Sequence, residues 1–350
     1  MTVAISVILP VRNGARYLEA ALASILAQSF NAFELIVVND GSSDATPTLL
    51  RAARASDSRV RLLDSAGAGL AAALNLGIEA AQGAYVARMD ADDIALPHRF
   101  ARQAAFLDRH PEIAVLGGQV AHIDAQGALT GETTKFPTDP GEVAAALLSR
   151  GCIIKHPTVM ARRDALRAAG GYRAGFVPAE DYDLWLRMAE SEGLANLPET
   201  VLHYRVHAEQ ISAGINLRQR YAHDLALLAA RSRRAGRGDP FAGDVEAGAL
   251  ALGAAAPPPA ARQLAGAYAA LRHFQDPTSP APDAAALQDL IMCAHQGLLG
   301  DGRRLRTQAL LDCARLAARR GQLKLSASAV GNALRISPGR ALRGLAEGKR

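Results

Sequence analysis

The sequence predicts an α/β protein, a mostly parallel sheet flanked by helices, with an all-helical extension behind it. Two observations carry this. Short β-branched runs alternate with longer helical patterns through the first half of the chain, the order of a parallel sheet covered on both faces. Beyond Asn216 the strand signal stops, and Ala/Leu/Arg segments broken by Pro257 to Pro259 and by the cluster from Pro277 to Pro282 take over. The expected division is therefore 1–215 and 216–350, with no fixed-period repeat in either part.

The elements follow in order. Ile5 to Leu9 reads as a buried strand and Arg16 to Gln28 as a helix. Phe33 to Asn39 is the next strand, closed by the polar turn Asp40-Gly41-Ser42-Ser43-Asp44 and followed by a helix from Thr46 to Arg54. Strand Arg59 to Leu63, helix Leu70 to Ala81 and strand Ala84 to Met89 repeat the unit, and the last strand ends in Asp90-Ala91-Asp92-Asp93. Pro97 suits the first turn of a helix running from His98 to Arg109, and Ile113 to Leu116 is another strand. After Ala121 the pattern shortens, with a turn at Asp124 to Gly127, and Asp181 to Glu190 is the clearest later helix.

With 350 residues, 49% hydrophobic and 21% charged, the chain buries a real core, which excludes disordered, collagenous and disulfide-stapled classes. The longest strongly apolar run without a charge, Ala247 to Ala256, is about half of what a spanning helix needs. The start has no basic segment ahead of its short apolar stretch and does not read as a signal peptide. Cys152, Cys293 and Cys313 are odd in number and far apart, as expected of reduced thiols in a cytoplasm. The net charge of +5 is unevenly spread: residues 1–214 carry 19 Lys and Arg against 24 Asp and Glu, whereas 215–350 carry 20 against 10. A basic region beside an acidic one points to an anionic partner, with a plainly solvated helical surface as the other reading.

In open α/β sheets ligands bind beyond the carboxyl ends of the strands. Here those ends carry Pro10, Val11, Arg12, Asn13 and Gly14, then Asp40, then Asp90, Asp92 and Asp93. Crowded carboxylates repel one another, so a cation or sugar hydroxyls are expected among them. The hard oxygens of Asp90-x-Asp92-Asp93 suit Mg²⁺ or Mn²⁺ with a nucleoside diphosphate, although aspartates also cap helices. Gly67-Ala68-Gly69-Leu70-Ala71-Ala72 formally matches a dinucleotide fingerprint, but it follows the third strand, where the fingerprint normally follows the first. Asp181 is read either as a helix cap or as a general base. His203 and His207 lie in a strand-like stretch that would hold them ~13 Å apart, too far to share one ion. His156 reads as an ordinary structural histidine.

Six stretches taken in order resemble the family 2 glycosyltransferases: SVILPVRNGARYLEAALASILAQSF, FELIVVNDGSSDAT, GLAAALNLGIEAAQGAYVARMDADD, HPTVMARR, AEDYDLWLRMAE and YRVHAEQIS. The likeness runs from about Val3 to Ser212. It implies the Rossmann-like GT-A fold and an inverting transfer from a nucleoside-diphosphate sugar. By position, Pro10, Val11 and Asn13 would line the nucleotide pocket, Asp40 would bond the base, commonly uracil, and Arg88 and Asp90 would touch ribose or sugar. Asp92 would hold Mn²⁺ or Mg²⁺, His207 would complete the metal site, and Asp181 would be the catalytic base. The stretch beyond Ser212 resembles nothing in that family, and it lacks both the transmembrane helices and the Gln-x-x-Arg-Trp motif of the processive synthases, which favours transfer of a single sugar.

The acceptor expected on this basis is a glycan or lipid-linked molecule reached from the inner face of the plasma membrane, with the basic region making peripheral contact. Few aromatics interleave the arginines, which argues against nucleic acid. The competing reading is a non-catalytic scaffold that keeps the fold. Retention of Asp40, Asp92 and Asp181 together speaks against it.

Overall fold

The structure, a computed structural model, describes residues 3–207, 217–242, 259–276, 278–296, 298–299 and 303–347. The expected boundary at 215/216, the apolar run from Ala247 to Ala256 and Pro257 lie outside the described residues. The first half is built in chain order from β1 (Ile5–Val11), α1 (Leu18–Leu26), β2 (Phe33–Asn39), α2 (Thr46–Ser56), β3 (Val60–Asp64), α3 (Leu70–Ala80) and β4 (Tyr85–Arg88). There follow β5 (Ile94–Ala95), α4 (Arg99–Arg109), β6 (Ile113–Ile123), β7 (Leu129–Thr133), α5 (Pro140–Arg150), β8 (Met160–Arg162), α6 (Arg163–Ala168), α7 (Glu180–Met188) and β9 (Gly193–Arg205).

The sheet runs β3-β2-β1-β4-β8-β6-β9-β5, with β7 paired to β6. β1, β2, β3 and β4 are mutually parallel, so their carboxyl ends share one edge. Every residue of β1 is buried, as a strand covered on both faces requires. Helix α1 faces the sheet with Leu18, Ala21, Leu22 and Ile25, an i, i+3, i+4, i+7 stripe that excludes water from that side. Leu35, Val37, Phe100, Leu107 and Leu116 continue the core.

The other half of the sheet is mixed. β8 is antiparallel to both β4 and β6, β5 to β9, and β7 to β6, while β6 and β9 are parallel. The antiparallel pairings of β8 and β5 have no counterpart in the local pattern, because β8 has three residues and β5 two, too short to display a period. The turn at Asp124 to Gly127 joins β6 and β7: Asp124 N–H donates to Ala128 O and Gly127 N–H to Asp124 O. β6 itself runs to Ile123, well past the expected end at Leu116.

The chain divides into two compact units, one of residues 1–174 with 180–213, the other of residues 175–179 with 214–350. Among its described residues the second unit is helical, with α8 (Leu217–Arg234), α9 (Arg262–Gln275), α10 (Ala284–His295), α11 (Arg303–Arg319), α12 (Leu323–Ile336) and α13 (Pro338–Glu347). Its interior includes Tyr221 edge-on to Tyr268, whose hydroxyl donates to Asp224 at 2.7 Å. The short segment 175–179 belongs to this unit through Phe176, edge-on to Phe241. No described helix is long and apolar enough to cross a membrane.

Candidate active site

The shared edge of the parallel strands gathers most of the polar residues singled out by the sequence. Register pairs Val11 with Asn39 and Ile8 with Arg88, so Asp40 and Asp90 begin the loops on either side of the loop after β1. Two strand spacings put these loops about 10 Å apart. Pro10 and Val11 end β1 with buried side chains. Asn13, at φ 53°, starts the next loop and is tied to the turn after β2: its N–H donates to Ser42 Oγ, and its Oδ1 accepts from Ser43 N–H at 2.8 Å. Gly14 N–H to Thr46 Oγ1 and Ala15 N–H to Asp44 Oδ2 continue this seam. Asn13 therefore shapes the rim with its carboxamide.

Asp40 is 5% exposed. Its backbone N–H donates to Val11 O, and its carboxylate accepts the Ser65 hydroxyl at 2.6 Å and the Gly69 N–H at 3.2 Å. The Gly67–Gly69 stretch, which formally matched a dinucleotide fingerprint, is here the loop that grips Asp40.

Beyond β4 the ligand oxygens of Asp90, Asp92 and Asp93 all lie within 4.8 Å of one another. Asp90 and Asp92 keep 31% and 29% of their side-chain surface open, while Asp93 is buried. Buried Arg88 ion-pairs with Asp90. His207 Nε2 lies 3.0 Å from Asp92 Oδ2, and the His207 ring packs on Tyr17. His203 pairs with Ile94 inside β9, whereas His207 lies beyond the end of that strand at Arg205. Asp93 accepts the Arg205 N–H through Oδ1, and its Oδ2 is buried without a hydrogen-bond partner. Desolvation pushes the Asp90 carboxyl above its ordinary value against the pull of Arg88, and the Asp92 charge adds to the push. Asp93 is driven further up, by burial and then by its two acidic neighbours. Burial is the larger cause of both shifts, and the part that comes from the neighbouring carboxylates is repulsion that a cation would relieve.

Asp181 sits in the first turn of α7, half-buried, with Oδ1 accepting the Tyr182 N–H at 2.7 Å and Oδ2 3.7 Å from Cys152 Sγ. Its charge and that of Asp90 both bear on the buried Tyr172 hydroxyl and on Glu180, which links α7 to the end of β4. Beneath them His156 Nε2 meets Tyr172 Oη at 2.8 Å, and both rings pack on Trp185. Burial pushes His156 well below its ordinary value, so it is a neutral, structural imidazole. The helix itself is anchored by buried Asp183, which pairs with Arg173 and Arg187.

Two participants were missed by reading the sequence. Arg99, fully buried, donates to Arg88 O at 2.8 Å and Val159 O at 3.2 Å and so braces the end of β4; an arginine on the apolar stripe of α4 was the available signal. Glu180 is 4% exposed with Oε2 unpartnered, and burial followed by the Asp181 charge raises its pKa from 4.5 to about 8. A carboxyl raised in this way holds a proton that the unfolded chain has lost, so its contribution is complete below about pH 4.5 and disappears as pH rises through about 8. Melts at pH 5, 7 and 9 are expected to show wild type losing stability relative to Glu180→Gln as pH rises. Parallel curves for the two proteins would refute that proton assignment.

Comparison with known proteins bears on this arrangement. The sequence pattern of Glycosyl transferase family 2 matches residues 6–169. The chain is 36% identical over 208 residues to the putative glycosyltransferase EpsE of Bacillus subtilis, covering 57% of this chain and 72% of that protein. It is 32% identical over 207 residues to the O-antigen biosynthesis glycosyltransferase WbnJ of Escherichia coli, covering 58% and 80%. In fold it resembles residues 1–349 of S. aureus TarS, solved in complex with UDP-GlcNAc, at TM-score 0.56 and 16% identity, covering 95% and 91% of the two chains. The α/β sheet with its flanking helices is thus a GT-A fold followed by a helical region, and the chain belongs to the family 2 glycosyltransferases.

Proposed function

We propose that this glycosyltransferase is metal-dependent and inverting, and that it moves a sugar from a UDP-sugar to a hydroxyl of a glycan or lipid-linked acceptor in cell-surface polysaccharide synthesis. The observation that carries the reading is the cluster of Asp90, Asp92 and Asp93 at the carboxyl edge of the parallel strands, with Asp40 at the head of a neighbouring loop on that edge. The polysaccharide assignment is supported by the names of WbnJ and of the amylovoran biosynthesis glycosyltransferase AmsE of Erwinia amylovora, which is 32% identical over 198 residues and matches 56% of this chain and 73% of its own. The UDP assignment is supported by the ligand of TarS.

The donor set fits a hard divalent cation: three clustered carboxylates, two of them accessible, with an unpartnered buried oxygen on the third. Asp92 would hold Mn²⁺ or Mg²⁺, with His207 at its side and Asp90 adjoining. A bound ion would supply positive charge against the negative charge that grows on the departing diphosphate. The chain's own residues do the rest. Asp40 accepts the N–H of the base, Pro10, Val11 and Asn13 wall the nucleotide, and Arg88 holds Asp90 toward ribose or sugar. Asp181 takes the acceptor proton as the hydroxyl acidifies during attack on the anomeric carbon from the face opposite the diphosphate. One base is enough, and configuration inverts. The test is a panel of UDP-, GDP- and dTDP-sugars with Mn²⁺ or Mg²⁺, read by thermal shift and donor hydrolysis. Stabilisation by UDP donors only when the ion is present is expected. Equal binding of every donor without metal would overturn the assignment.

Residues 216–350 form, in this reading, a separate region that meets the anionic inner face of the plasma membrane. From Cys313 to Ala346 the chain has seven Lys and Arg and no Asp or Glu. At the turn between α11 and α12, Leu323 is 72% exposed beside exposed Arg319 and Lys324. Cations near such a surface contribute ~1 kcal/mol each. Full-length protein should sediment with phosphatidylglycerol vesicles at low salt and stay in solution with phosphatidylcholine; retention on nucleic acid alone would refute the membrane assignment.

A further inference from the structure

We infer that Ser65, acting through Asp40, sets the preference of this enzyme for a uracil over a guanine nucleotide; the inference rests on the reading that Asp40 receives the base. Asp40 is held from two sides. Its backbone is fixed to β1 by the bond to Val11 O, and its carboxylate is fixed to the loop after β3 by Ser65 and Gly69. That loop has a specific shape. Ser65 N–H donates to Asn39 O and Ala68 N–H to Ser65 O, while Ala66, Gly67 and Gly69 adopt φ of 54°, 79° and 92°. A non-glycine residue at positive φ is a cost that the surroundings must offset. Gly41, at φ 69°, closes against the same loop: a Cβ there would lie 3.2 Å from Gly67 N and 3.3 Å from Gly67 Cα. The turn carrying Asp40 and the loop carrying Ser65 are therefore one latch.

The latch divides the acceptor capacity of the carboxylate. A carboxylate offers roughly four lone-pair positions, two on each oxygen. Oδ1 already takes the Ser65 hydroxyl at 2.6 Å and a share of the Gly69 N–H, whereas Oδ2 takes only the other share of that N–H at 3.2 Å. One good acceptor remains, on Oδ2. Uracil presents a single ring N–H between two carbonyls, and one acceptor satisfies it. Guanine presents its ring N–H and exocyclic amino group side by side, a pair that calls for both carboxylate oxygens at once. To accept guanine in that mode, Oδ1 must release the half-buried Ser65 hydroxyl and give up its short charge-assisted bond. Ser65 is a positioning residue that discriminates by occupying the second oxygen.

The experiment measures Kd for UDP and for GDP, each with Mn²⁺, in wild type, Ser65→Ala and Ser65→Thr. Wild type is expected to favour UDP, and Ser65→Ala to lower the UDP-to-GDP preference about tenfold, the worth of one hydrogen bond to a charged group. Ser65→Thr keeps the hydroxyl and is expected to keep the preference. A merely structural role would weaken both nucleotides alike and leave their ratio fixed. Should Ser65→Ala fail to fold, Ser65→Cys, whose thiol is a weak donor, is expected to move the ratio in the same direction. If the variants bind UDP and the ratio stays at the wild-type value, the role of Ser65 is refuted while the donor reading stands. If wild type binds neither nucleotide, the donor reading falls and the inference with it.

Discussion

Asp92→Ala is expected to abolish the metal-dependent stabilisation by UDP-sugars and to lower donor hydrolysis at least about 100-fold, because the substitution removes charge stabilisation aimed at the leaving diphosphate. The same change is expected to leave the metal-free protein as stable as wild type, or more so. Asp92 raises the pKa of both Asp90 and Asp93, so in the absence of a cation its charge opposes theirs. Its side chain is 29% open to solvent, so water takes up part of the contact with His207 that is lost, and its removal leaves no sealed cavity. Function and stability are thus predicted to move in opposite directions, which distinguishes a cation site from a structural acidic cap. Thermal melts with and without Mn²⁺, alongside hydrolysis assays, provide the check. An unchanged Mn²⁺-dependent shift in the variant would exclude Asp92 as a ligand.

The legible part of this site is the part made by local chain order. Parallel strands joined by helices must bring their carboxyl ends to one edge, so the positions of Asp40 and of Asp90 to Asp93 followed from where FELIVVN and AYVARM stop. The contact of His207 with Asp92 was implied only by the family resemblance, since 115 residues separate them and β9 must first pair beside β5. What stayed hidden depends on burial and on pairings between distant segments. Glu180 looks like one more capping acid until its surroundings withdraw water from it, and Arg99 looks like a surface cation until it is seen to hold Arg88 O. Helix α5 did carry a readable signal, with Asp139 at its N-cap accepting the Glu142 N–H and Pro140 in its first turn. The loop gripping Asp40 was legible as a loop and helix start, but not in its purpose. Its glycines matched a phosphate-binding pattern, yet their positive φ values serve a turn that hands an N–H to a carboxylate.

Asp181→Asn is expected to lower turnover by ~10²–10⁴-fold while leaving the affinity for donor nucleotide within about twofold of wild type, the signature of an interaction made only as the acceptor hydroxyl reacts. The carboxamide keeps an oxygen able to accept the Tyr182 N–H that Asp181 accepts at 2.7 Å, so the first turn of α7 should survive the change. What it loses is basicity. Asp181 lies on α7, while Asp40 and Asp92 lie at the strand ends, and this separation predicts separable defects: nucleotide affinity for Asp40, ion dependence for Asp92, the chemical step for Asp181. Asp181→Glu retains a carboxylate on a longer stem and should fall between asparagine and wild type, because a base about 1 Å out of place still accepts a proton, only less often in the reactive geometry. Measuring UDP affinity beside single-turnover transfer separates these effects. If Asp181→Asn kept more than about a tenth of wild-type turnover, a loss smaller than a general base accounts for, the proton would have another destination.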